Sequence, residues 1–285
     1  MKRSILLFFS AIFLAGCDTL NTIPFSPPQT PENWLTIQPF MKIQIGLREI
    51  YLVQPSSTIF VYVLGFLAIG VGIYFLKIRH GHLSRFWWGI ALLLWGAGAL
   101  FAGTSYEAFS YEIKCAGRAN CIWTSWWEVT YLVLSVASVN AMALAEAHSS
   151  TLGKFRRWLS IYAIVNLSVY IFVILIGSLI PIRFLISFEL LIIFTAPSIL
   201  MFFVLNGWRY LKFKGKLDLA LLGNWFGLGL IIGVYFLYYT LGITQDLWSQ
   251  GIWFSENDVL HIGLILWMLY IGLVVAPKME DLSES

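Results

Sequence analysis

Residues 103–131, GTSYEAFSYEIKCAGRANCIWTSWWEVTY, hold two of the chain's three cysteines, three tryptophans and most of the polar groups that fall near membrane level. Apolar runs flank the stretch at 86–105 and 122–145. Each is about 20 residues or more, which at 1.5 Å rise per residue crosses a hydrocarbon core of roughly 30 Å. Five similar runs lie at 58–76, 158–180, 184–205, 217–241 and 259–276. The quoted stretch is therefore the loop between the second and third of seven spans, and the chain reads as an all-α membrane protein, a seven-helix bundle.

Composition agrees. Of the 285 residues, 59% are apolar and 12% charged, against about 25% charged in a soluble domain. The net charge of +3 reflects an asymmetry between the two membrane faces, and without a basic stripe it implies no nucleic-acid partner. No repeat of a solenoid or propeller kind occurs. A transporter is disfavoured, because the spans lack a paired set of Gly/Pro-broken helices.

The N-terminal residues 1–17 read as an export signal. Lys2 and Arg3 give the charged start, residues 5–14 an apolar core too short to span, and Leu14-Ala15-Gly16-Cys17 a small-residue cleavage site. That run resembles the bacterial lipoprotein signal, which implies lipidation of Cys17. Asp18 resembles the residue that retains lipoproteins in the inner membrane. An ordinary first anchor with a chance cysteine is the alternative. Residues 18–56 form an exported arm. Pro24, Pro27, Pro28 and Pro31 suggest an extended linker. Phe40, Ile43, Leu47 and Ile50 recur at helical spacing while Ile43, Ile45 and Leu47 alternate like a strand; the reading adopted is an amphipathic segment on the outer membrane surface. The bundle takes 57–277, with Pro197 expected to kink span five, and a cytoplasmic tail takes 278–285.

Orientation follows from basic residues. The connections after spans one, three, five and seven hold eleven Lys and Arg, from Lys77 to Lys278, and the opposite face holds five. The N-terminus is expected outside and the C-terminus inside, as a lipid-anchored inner-membrane protein requires. Cys115 and Cys121 then fall in an exported loop, where a disulfide is expected and two free thiols are the alternative.

Ionisable groups at membrane depth each need a partner or a role. Glu107 ends span two, Glu128 and Glu189 begin spans three and five, and His261 begins span seven, all near the outer surface. Ser105, Asn257 and Asp258 share that level. Ser125 with Glu128, and Ser255 with Asp258, have the spacing of a capping box. Glu107 reads as a solvated acid past the span end, and Glu189 has no Ser or Thr three residues before it to suggest capping. His80, His82 and His148 read as loop histidines.

Ser105 near the end of span two, an acid at the start of span three and His261 early in span seven resemble the CREST membrane hydrolases, which include the alkaline ceramidases and the progestin and adipoQ receptors. In that family a Ser and a His one turn later end the second span, an Asp begins the third and an HxxxH pair opens the seventh. The three histidines hold zinc, which activates water against a lipid amide. Here Ala102-Gly103-Thr104-Ser105 is similar to the serine motif, Glu128 takes the aspartate's place and His261 that of the second paired histidine. Phe109 and Asn257 stand where the other two histidines would be.

The resemblance implies a divalent metal held by His261 with Glu128, Glu189 or Glu107, an oxygen-rich set suited to manganese, magnesium or iron as well as zinc. On the first functional reading, metal-bound water attacks a lipid amide or ester from the periplasmic leaflet, a carboxylate such as Glu128 takes its proton, and Ser105 steadies the oxyanion. On the second, the protein is a non-catalytic binding module or scaffold with a degenerate site. It engages an exported protein partner or membrane lipid through the arm and the loop, and Glu128, Glu189 and His261 fix helix register.

Overall fold

The computed structural model describes residues 19–283; residues 1–17, expected to be an export signal ending in a lipidated Cys17, lie outside them. Seven helices are long and apolar enough to cross a membrane: Pro55–Lys77, Leu83–Ala108, Trp126–Ser150, Gly153–Leu179, Phe188–Phe213, Lys216–Thr240 and Glu256–Lys278. They are called spans one to seven. Span one packs against spans two and seven, span six joins five to seven, and span three packs on two, four and five. The loops after spans two, four and six form the hairpin end, and the opposite end, which carries residues 279–283, is the tail end.

The helix ends differ from those of the apolar runs because the partners that polar residues find decide where each helix starts and stops. Span three starts only after Ser125, whose amide donates to Glu128. Ile122 is instead taken by a β-bridge to Pro24. At the other end it runs past Ala145 to Ser150, because Glu146 and Ser150 bond each other and Asn206.

Spans one and two meet backbone to backbone. A Cβ on Gly96 would lie 2.6 Å from the Gly65 carbonyl oxygen, and one on Gly72 2.9 Å from that of Gly89. Small residues permit this approach, and van der Waals contact between helices replaces the hydrophobic drive that lipid cannot supply. An aromatic column fills the centre: Phe75 stacks on Trp88 at 5.9 Å, Trp88 on Trp225 at 6.0 Å, and Phe202 closes on Trp225 at 5.0 Å. Apolar side chains such as Phe172 and Leu200 point outward, as a lipid-facing surface requires. Pro197 lies inside span five, which stays helical across it.

The arm departs from its sequence reading in two respects. Residues 40–53 are no helix but an antiparallel hairpin, β1 (Phe40–Ile45) with β2 (Arg48–Val53), closed by Gly46 at φ +63° and Leu47. The alternation of Ile43 and Ile45 governs, because a two-residue loop with glycine first sets a hairpin register. The proline-rich segment is packed rather than a free linker. Ile23 accepts from the Trp123 amide at 2.8 Å, Gln29 from the Cys121 amide at 2.8 Å, and Thr30 caps a short helix, Pro31–Thr36, that buries Trp34.

Candidate functional site

Span two ends in a π-helical stretch, Gly103–Ala108, where the Phe109 amide reaches back five residues to the Thr104 carbonyl. Such stretches re-aim side chains and recur at functional sites. This one turns Glu107 inward, so the acid expected in solvent is buried at 4% exposure. Glu107 Oε1 lies 3.7 Å from His261 Nε2 in span seven. Ser105, on the same π-helical stretch, is fully buried. Ser105 Oγ, Glu107 Oε2 and His261 Nδ1 have no hydrogen-bond partner among the described residues. Buried polar atoms are ordinarily satisfied, so each of these asks for an explanation.

Asp258, one turn before His261, is committed elsewhere. It accepts from Ser57 Oγ at 3.0 Å and Ser56 Oγ at 3.2 Å in span one, and it completes a capping box with Ser255. This pins the start of span seven to the start of span one.

Glu128 is likewise taken. Its Oε2 accepts from the Ser125 amide at 3.2 Å, and its Oε1 forms an ion pair with Lys114. Lys114 belongs to the short helix Ser110–Lys114 in the loop between spans two and three. Its ammonium lies over the rings of Tyr106 at 4.8 Å and of Phe25 and Trp34, each at 5.7 Å. Aromatic faces attract a cation and shield it from water. Next to it, Cys115 and Cys121 lie at disulfide distance, S–S 2.00 Å. Glu189 stands apart, exposed in the first turn of span five behind the N-cap Ser187, which accepts from the Leu190 amide at 3.3 Å.

Of the candidate ligands Glu107, Glu128, Glu189 and His261, the structure pairs Glu107 with His261; Glu128 meets Lys114, and Glu189 sits on the surface of span five. No group of three or more His, Cys, Asp or Glu poised for a metal occurs among the described residues. Two donors fall short of the three protein ligands of a catalytic zinc site, so the arrangement does not fit the metal that the resemblance implies.

Sequence reasoning passed over two constellations. Lys114 counted only as a loop charge, although a basic residue beside a loop cysteine could have suggested a partner for Glu128. At the tail end, Glu146 is fully buried and accepts from Ser150 Oγ at 2.8 Å and Asn206 Nδ2 at 3.1 Å. The spacing of Glu146 and Ser150, four apart on one helix face, was the available signal. No family model, curated protein or solved structure matches the chain.

Proposed function

We propose that the chain is a non-catalytic binding protein of a bacterial inner membrane, with a lipidated N-terminus and the hairpin end facing the periplasm, where it holds an exported partner or a lipid. The observation that carries this reading is the pairing of Glu128 with Lys114. The acid in the place of the hydrolase family's aspartate is neutralised by a buried cation and fastened to its own helix cap, so its charge is committed to the fold. The hairpin, the packed arm and the cysteine loop give this end a built exported surface, consistent with the eleven basic residues at the other end.

The intramembrane lipid hydrolase is kept as a second reading on one observation: Ser105, Glu107 and His261 each present a buried polar atom without a hydrogen-bond partner among the described residues. In that case Glu107, not Glu128, would take the proton, and Ser105 would donate to the developing oxyanion. Zinc, manganese or iron would need a third ligand brought by movement or by substrate.

Purified protein in vesicles, offered ceramide-type amides and diacyl esters with each metal in turn, separates the two. The binding reading expects turnover no higher than in His261→Ala and metal content near zero in both. Turnover that disappears in Glu107→Gln and His261→Ala, with metal retained by wild type alone, would overturn it in favour of the hydrolase.

A further inference from the structure

The tail end carries a groove of about 930 Å³ between the ends of spans three and five and the starts of spans four and six. Phe155, Met201, Val204, Trp208 and Phe213 wall it. From Phe213, the last residue of span five, to Met201 is twelve residues, about 18 Å of helix rise. The groove therefore follows the bilayer normal from the membrane interface into hydrocarbon depth. Val204 is 67% exposed and Trp208 53%, so the walls open sideways to lipid. A water-soluble ligand would not fill so deep and apolar a slot; an acyl chain would.

Cations flank the mouth. Arg209 lines it, donating from Nε to Asp218 Oδ1 at 2.6 Å and from Nη1 to the Ser150 carbonyl at 3.0 Å. Its guanidinium lies 5.5 Å from the Phe213 ring centroid. Lys212 approaches the same rings, with its ammonium 5.1 Å from both Trp208 and Phe213. Asp218 offsets Arg209, whereas Lys212 has no acidic partner among the described residues. Lys214 and Lys216 follow at the connection to span six.

We propose that this groove binds one anionic phospholipid of the adjoining leaflet, with an acyl chain along Met201 and Val204 and the phosphate beside Lys212 and Arg209. An uncompensated cation at the interface favours a headgroup that brings net negative charge, and a zwitterionic headgroup carries its own cation and gains less. The site is independent of the polar site at the hairpin end and stands whether or not that site is catalytic.

Native mass spectrometry of the purified full chain, exchanged into micelles with equal phosphatidylglycerol and phosphatidylcholine of matched chain length, tests the proposal. Phosphatidylglycerol should be retained in preference. Lys212→Glu, a change at an exposed position, should lower that retention roughly tenfold, since one favourable charge becomes unfavourable. Val204→Trp fills the groove from its lipid-facing wall with every charge kept, and should lower retention of both lipids. Equal retention of the two lipids by wild type, or unchanged phosphatidylglycerol retention in either variant, would overturn the proposal.

Discussion

The Lys114 ammonium meets the Glu128 carboxylate beneath three aromatic rings, with 3% of one side chain and 1% of the other exposed. The contact joins the arm, through Phe25 and Trp34, to the first turn of span three. Removing one partner of a buried pair leaves a charge without compensation, at a cost of about 3 to 5 kcal/mol. Lys114→Met should therefore lower unfolding stability in detergent by about that much. Lys114→Met with Glu128→Gln should recover most of the loss, because no buried charge then remains. A double variant no more stable than the single one would show that the aromatic packing of Lys114, and not the charge, is what the structure needs.

The cysteine bridge closes a loop of seven residues beside this pair. Loop-closure entropy for that length is worth about 2 kcal/mol, and release of the loop also loosens Lys114, which immediately precedes Cys115. Cys121→Ser should lower stability by about 2 kcal/mol or more. Alkylation of unreduced, denatured wild type should label neither Cys115 nor Cys121; labelling of both would mean that the bridge does not form.

The spans were legible because hydrocarbon thickness imposes a length and an apolarity that few other folds require. Their ends were not. Glu146 and Glu107 look like boundary residues in a hydropathy reading, yet both belong to helices, one because Ser150 and Asn206 satisfy it and the other because a π-helical stretch turns it inward. Shared depth was visible for Glu128, Glu189 and His261, but depth leaves rotation about each helix axis undetermined. Rotation is what sends Glu128 to Lys114 and leaves Glu189 on the surface. In the arm, two periodicities competed over residues 40–50, and the turn chemistry of Gly46 decided between them.

Backbone contact between spans one and two gives a prediction with an internal control. A methyl group on Gly96 would meet the Gly65 carbonyl oxygen at 2.6 Å, where only a shift of a whole helix relieves the clash, whereas one on Gly70 meets nothing within 4 Å. Gly96→Ala should cost about 1 to 3 kcal/mol, the usual price of overpacking. Gly70→Ala should be neutral or slightly stabilising, since alanine is the better helix former by about 1 kcal/mol. Unfolding midpoints of the two variants, measured in the same detergent, check the contrast; equal values would mean that the two spans are not held by close backbone approach.

The tail closes on the bundle through Asp281, which accepts from the amides of Leu83 and Ser84, each at 2.8 Å, and so caps span two from a distant part of the chain. Partial burial raises the Asp281 carboxyl, but the neighbouring Ser84 side chain and the hydrogen bonds from the Ser84 and Leu83 amides, with His148 nearby, outweigh it and hold the group below its ordinary 3.8. A carboxyl depressed in the folded state contributes stability that is present above its unfolded value and is lost as pH falls through the lower folded value. Asp281→Ala should cost about 1 kcal/mol near neutral pH, the typical worth of such a cap. The gap between wild type and Asp281→Ala should narrow as pH falls below 3.8. Asp281→Asn keeps an acceptor without a titrating charge, so it should retain part of the cap and lose this pH dependence. Unfolding of the three proteins at about pH 7 and about pH 3 reads the difference; a wild-type advantage that persists undiminished at the lower pH would mean that the Asp281 charge plays no part in holding the tail.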